Sequence, residues 1–169
     1  MAFEIPQDLN AQLMGVAWLL GTWRGNGHGA WPKGDESGEF EFGQQIDFAT
    51  VGDQPYLHYL CQTYALDEAG QPAKSLTIES GFWRPHDDAT VEMVLTHPEG
   101  YAEVWVGNVQ GAKIEMTTDL VARTTTAAEP ITGGQRLYGN VEGDLLWTWD
   151  RASEDVPLQP YMWARLQRA

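Results

Sequence analysis

The chain reads as all-β: about ten short strands closing into one antiparallel up-and-down barrel, with a single short helix ahead of them. Three observations lead to that fold class. From Gly21 onward apolar residues recur with a period of two, as where Val91, Met93, Leu95 and His97 alternate with Glu92, Val94 and Thr96. The 18 glycines are spread along the chain, and turn-forming clusters separate the alternating segments. No stretch between those segments carries helical spacing, which argues against a βαβ architecture, and closing the sheet leaves no unpaired edge.

The helix comes first. Asp8 or Asn10 can cap it, Leu9, Leu13, Val16, Ala17 and Leu20 recur at helical spacing, and it ends before Gly21. Phe40 and Phe42 then alternate with Glu39 and Glu41. Further strands are expected near Tyr56 to Leu66, Ser75 to Arg84, Ala102 to Gly107, Lys113 to Leu120, Gln135 to Val141, Leu145 to Arg151 and Tyr161 to Arg168. Between them lie Asp67-Glu68-Ala69-Gly70, Arg84-Pro85-His86-Asp87-Asp88, His97-Pro98-Glu99-Gly100 and Asn108 to Gly111, whose turn chemistry makes neighbouring strands hairpins. No linker or repeat interrupts residues 1–169, so one domain is expected, large enough to bury roughly 70% of its unfolded surface. Eight Trp, six Tyr and five Phe supply large side chains for a barrel interior.

Composition narrows the function. Ten Lys and Arg against 24 Asp and Glu give a net charge of −14, which excludes nucleic acid and anionic membrane surfaces as natural partners. Cys61 is the single cysteine, which rules out an intramolecular disulfide, a zinc cluster or a CxxC redox motif. The apolar stretch Leu13 to Leu20 is too short and wrongly flanked for a signal peptide or a membrane span, so a cytoplasmic location is expected. Among catalytic motifs, GxSxG and HExxH are missing, and Glu39, Glu41, Asp87, Asp88, Glu154 and Asp155 read as solvated faces and turns.

The most informative segment runs from Gly21 to Pro32, GTWRGNGHGAWP. On a strand, Gly21, Trp23, Gly25, Gly27 and Gly29 share one face, which is therefore mostly bare backbone; either another group approaches it closely or the strand bends there. Trp23 is expected to close a barrel end. A dinucleotide turn is rejected, because its glycines would open a helix after a strand rather than follow one.

This segment resembles the GxWxGxGxGxYP signature of the nitrobindin family, carried here by Gly21, Trp23, Gly25 and Gly27. The resemblance extends to Glu79-Ser80-Gly81-Phe82-Trp83-Arg84-Pro85, His97-Pro98-Glu99-Gly100, Arg136-Leu137-Tyr138 and Pro157-Leu158-Gln159-Pro160, in the family's order. It implies a ten-stranded barrel, distantly similar to fatty-acid-binding proteins and lipocalin-like in plan, holding ferric haem b near one open end. It also implies binding of nitric oxide and isomerisation of peroxynitrite to nitrate. In the family one histidine on the last strand holds the iron. Here that position is Tyr161, and the C-terminal third has no histidine at all.

Tyr161 is thus the candidate iron ligand. A tyrosinate suits ferric iron, but a phenol pKa of about 10 requires a cation beside it. Arg151 shares a face with Trp147 and Trp149 and is the candidate for that role; the alternative is a space-filling Tyr161 with Arg151 in solvent at the rim. His97, inward by alternation, is a second candidate ligand, although a histidine bonded to a backbone carbonyl is the commoner outcome. By resemblance, Arg136 contacts a haem propionate, with a surface arginine as the alternative, and Leu76 and Thr77 form the distal pair over the iron, with plain barrel lining as the alternative. His28 and His58 read as outer or rim residues and His86 as a turn residue. Two functional readings follow. One is a nitrobindin-like barrel in which haem b depends on Tyr161 and peroxynitrite isomerisation depends on haem. The other is a non-enzymatic carrier of an apolar or aromatic small molecule in the barrel cavity. A filled barrel meeting a protein partner through its acidic surface is a third, with no partner legible.

Overall fold

The computed structural model describes residues 3–32 and 36–169. The first element, Ala11–Leu19, is a 3₁₀ helix. A tighter turn than the expected α-helix follows from the spacing: Leu13, Val16 and Leu19 recur every three residues and are all buried, which aligns them on one edge of a three-residue turn. Asn10 is the cap, its side-chain oxygen accepting from the Gln12 amide at 3.0 Å.

Ten strands follow: β1 (Gly21–Ala30), β2 (Glu39–Thr50), β3 (Leu57–Leu66), β4 (Pro72–Pro85), β5 (Thr90–His97), β6 (Tyr101–Gln110), β7 (Lys113–Arg123), β8 (Ile131–Val141), β9 (Asp144–Ser153) and β10 (Gln159–Arg168). Each pairs antiparallel with its sequence neighbours, and β1 pairs with β10 to close the barrel. The all-β, ten-stranded, up-and-down reading holds, with β4 and β8 starting several residues earlier than alternation suggests. Among the described residues no helix is long and apolar enough to cross a membrane.

The 3₁₀ helix plugs one end. Leu13, Val16 and Leu19 join a single core cluster with Trp23, Trp83, Trp105 and Tyr138. Trp23 donates its indole N–H to the Leu19 carbonyl at 2.7 Å, and the Arg168 guanidinium lies over the Trp23 ring at 4.1 Å while donating to the Trp18 carbonyl at 3.0 Å. Trp23 closes the end as its spacing suggests.

The bare face of β1 is approached closely. Gly27 faces Phe42 on β2 and Ala164 on β10, and a Cβ at that position would stand 2.5 Å from Phe42 Cζ and 2.6 Å from the Trp163 carbonyl oxygen. The phenylalanine rings of β2 occupy the room the glycines leave. Gly133 differs, since a Cβ there would find its nearest atom at 3.7 Å. Gly27→Ala is therefore expected to lower the free energy of unfolding by roughly 1–3 kcal/mol in denaturant titration, and Gly133→Ala by less than about 0.5 kcal/mol.

Candidate functional site

The end of the barrel opposite the 3₁₀ helix opens into a cavity of about 580 Å³, walled by Trp31, Phe40, Trp147, Trp149 and Tyr161. Tyr161, Arg151, His97, Leu76 and Thr77 all line it. Arg136 lies deeper, and Gly21 and Trp23 belong to the closed end, so the structure gathers five of the expected site residues in one place.

Two of the five face the cavity because of β-bulges. In β10, Met162, Ala164 and Leu166 are buried, and strict alternation would turn Tyr161 outward. The register with β9 slips between Pro160 and Met162, leaving Tyr161 as the inserted residue and bringing it onto the cavity wall beside Met162. The slip between β3 and β4 does the same for Leu76, which stands unpaired between Ser75 and Thr77. Leu76 is 51% exposed at the mouth, whereas Thr77 donates its hydroxyl to Glu99.

Beneath the cavity lies a buried charged cluster that sequence reading did not identify. Arg136, only 2% exposed, donates both guanidinium NH₂ groups to Glu79, at 2.6 and 2.9 Å. The surface-arginine alternative is thereby overturned, and the guanidinium expected to meet a propionate is engaged by a carboxylate of the protein itself. Arg136 also donates to the Tyr138 hydroxyl at 3.1 Å and stacks on Trp149 at 3.9 Å. The Tyr59 hydroxyl donates to Glu79 at 2.6 Å. His97 is inward as expected, but its partners are carboxylates rather than a backbone carbonyl: Nε2 lies 2.6 Å from Glu103 and Nδ1 3.7 Å from Glu79. Its ring also stacks on Tyr101 at 4.0 Å.

Burial alone would push the Glu79 carboxyl upward. The charge and hydrogen bonds of Arg136, helped by His97 and Tyr59, outweigh it and hold Glu79 at about 2. Burial drives the phenols of Tyr59 and Tyr101 upward and raises Tyr138 to about 12, and it likewise raises the Cys61 thiol, which is no nucleophile at neutral pH.

Arg151 is buried, which overturns a solvent position at the rim, and sits over the faces of Tyr161 at 3.6 Å and Trp31 at 4.1 Å. Burial raises the Tyr161 pKa, and the charge of Arg151 offsets only part of that rise. Tyr161 is thus a neutral phenol boxed between Trp149, edge-on at 4.9 Å, and Trp31 at 5.4 Å. These donors fit an iron centre poorly: Arg151 lies over the Tyr161 ring rather than donating to its hydroxyl, and both ring nitrogens of His97 face carboxylates. His28, stacked on Trp163 at 6.2 Å, is an outer residue, and His86, 2.7 Å from Glu92, stands at the turn after β4, as expected.

The buried pair has a consequence for stability. A carboxyl whose pKa falls from about 4.5 to about 2 on folding stabilises the fold fully above pH 4.5 and loses that contribution as pH falls toward 2. The loss amounts to about 3 kcal/mol. Denaturant unfolding across that window is expected to show it in the wild type and not in Glu79→Gln. At pH 7, Glu79→Gln is expected to destabilise by about 3–5 kcal/mol by stranding Arg136, and Glu79→Leu with Arg136→Met to recover most of it.

Comparison with known proteins agrees with this architecture. The profile of the "THAP4-like, heme-binding beta-barrel domain" matches residues 12–168. A "Ferric nitrobindin-like protein" of Cutibacterium acnes is 58% identical over the full length of both chains. A "Peroxynitrite isomerase" of a Nocardioides species is 46% identical over 99% of each. The crystal structure of Rv2717c from M. tuberculosis superposes with a TM-score of 0.83 at 32% identity, covering 95% of this chain and 99% of that one. The chain belongs to the THAP4-like haem-binding β-barrel family, the nitrobindin family.

Proposed function

We propose that this chain is a non-enzymatic member of the nitrobindin family that holds an aromatic or apolar small molecule in its barrel cavity, and that it is not a peroxynitrite isomerase. The observation that carries the reading is a roomy aromatic cavity of about 580 Å³ with Tyr161 on its wall, at the position that the motif resemblance aligns with the family's histidine. A volume of several hundred Å³ suits small-molecule binding, and Trp31, Phe40 and Trp149 offer ring faces and edges to an aromatic ligand. Isomerase chemistry in the family belongs to the haem, and this wall supplies no strong iron donor. A cytoplasmic setting without nucleic-acid partners remains part of the reading, on the net charge of −14.

Titrating purified protein with hemin tests it. The wild type, Tyr161→Phe and His97→Ala are all expected to give weak, non-stoichiometric absorption changes, while Tyr161→His creates a one-to-one haem band. A stoichiometric band in the wild type that vanishes in Tyr161→Phe would overturn the proposal in favour of tyrosinate ligation, and one that vanishes only in His97→Ala would assign the iron to His97. The wild type is also expected to take up the neutral fluorescent probe N-phenylnaphthylamine, one per chain.

A further inference from the structure

Two arginines are buried in this barrel, and they are treated differently. Arg136 is matched by Glu79. Arg151, 6% exposed on the cavity wall, has no such match: among the described residues no carboxylate, carbonyl or hydroxyl accepts from it, and its Nε has no hydrogen-bond partner. Its surroundings are the faces of Trp31 at 4.1 Å, Tyr161 at 3.6 Å and Trp149 at 5.7 Å. Cation–π contacts contribute about 0.5–2 kcal/mol each. Removing a guanidinium from water costs several kcal/mol unless charge and hydrogen bonds compensate. The rings therefore offset part of the desolvation and leave the planar fork of donors unanswered.

The other charges of the cavity do not answer it. Glu79 is held by Arg136 and Tyr59, Glu103 by His97, and Glu99 accepts from Thr77. Glu36, Glu39, Glu41, Glu99 and Glu129 also line the cavity, but none reaches ion-pair distance from Arg151. Their repulsion of an incoming anion acts through solvent at the mouth and is screened beyond about 8 Å in physiological salt. A contact with Arg151 inside the wall is screened much less.

We infer that the cavity selects an aromatic or apolar ligand carrying one anionic oxyacid group, a carboxylate in the simplest case, with that group on the Arg151 guanidinium and the ring system against Trp31, Phe40 and Trp149. The inference rests on the small-molecule reading above and deepens it. Guanidinium and carboxylate match in geometry, two parallel N–H donors to two oxygens, and the aromatic rings that now cover Arg151 would flank the ion pair.

A matched pair of probes tests this. Anilinonaphthalene sulfonate and N-phenylnaphthylamine share a ring system and differ by one anionic group. By fluorescence titration the wild type is expected to bind the sulfonate the more tightly. Arg151→Gln is expected to weaken the sulfonate by about 30-fold or more, a contribution of roughly 2 kcal/mol, while changing the neutral probe by less than about threefold. Arg151→Lys is expected to retain part of the preference. Because Arg151 has no carboxylate to strand, Arg151→Gln should unfold at the same denaturant concentration as the wild type or a higher one, so lost binding is not lost folding. Equal binding of both probes, or an equal loss of both in Arg151→Gln, would overturn the anionic subsite and leave the small-molecule reading intact. Failure of the wild type to bind either probe would overturn both.

Discussion

The bidentate pair between Glu79 on β4 and Arg136 on β8 is the constraint around which the interior is arranged. Two full charges inside an apolar barrel are tolerated only when each is matched and its remaining hydrogen-bonding capacity is met. The neighbouring polar residues meet most of it: Tyr59 donates to Glu79, Tyr138 accepts from Arg136, and His97 bridges toward Glu103 and Glu79, while Arg136 Nε and one Glu103 oxygen have no partner. The cluster divides the barrel into a half filled by Trp23, Trp83 and the 3₁₀ helix and a half left open. It also sets the cavity wall, because Trp149 lies flat on Arg136 and meets Tyr161 edge-on.

Two inserted residues determine what that wall presents. A regular β10 would present Met162 and leave Tyr161 to solvent; a regular β4 would place Leu76 and Thr77 on opposite faces. A bulge adds one residue without lengthening the partner strand, so the pleat changes phase at that point. Tyr161 and Leu76 stand at such changes of phase, each at the open end, where a distortion disturbs few ladder bonds. Sequence position alone gives Tyr161 its correspondence to the family's histidine, and the bulge turns that correspondence into a side chain lining the cavity.

Alternation made most of the barrel legible. Trp147, Trp149 and Arg151 share an inward face as their spacing implies, and His97 follows Val91, Met93 and Leu95 into the interior. The same rule could have exposed the charged cluster, since Glu79 is in phase with Gly81 and Trp83, and Glu103 with Tyr101 and Trp105. Both were missed because a carboxylate in a strand is solvated far more often than buried, and that expectation outweighed the pattern. The bulges had no such signal, because an inserted residue leaves the apolar composition of its strand unchanged. The 3₁₀ turn was recoverable in principle from the three-residue spacing of Leu13, Val16 and Leu19, which an α-helix accommodates less well.

The treatment of the two arginines links the altered proximal position to the rest of the interior. A haem propionate could take both NH₂ groups of Arg136 only by releasing Glu79, and an uncompensated buried carboxylate is destabilising by about 3–5 kcal/mol. Binding energy of that size would have to come from the iron bond, which in the family is a histidine's and here would be a tyrosinate's, formed by removing a proton that burial holds on the phenol. If Tyr161 gives no strong axial bond, nothing repays opening the Glu79–Arg136 pair, and with the pair closed Arg151 is left as the cavity's one uncommitted cation among the described residues. On the proposed reading, the chemistry of this barrel lies in recognition of charge and shape at Arg151 rather than in metal coordination at Tyr161.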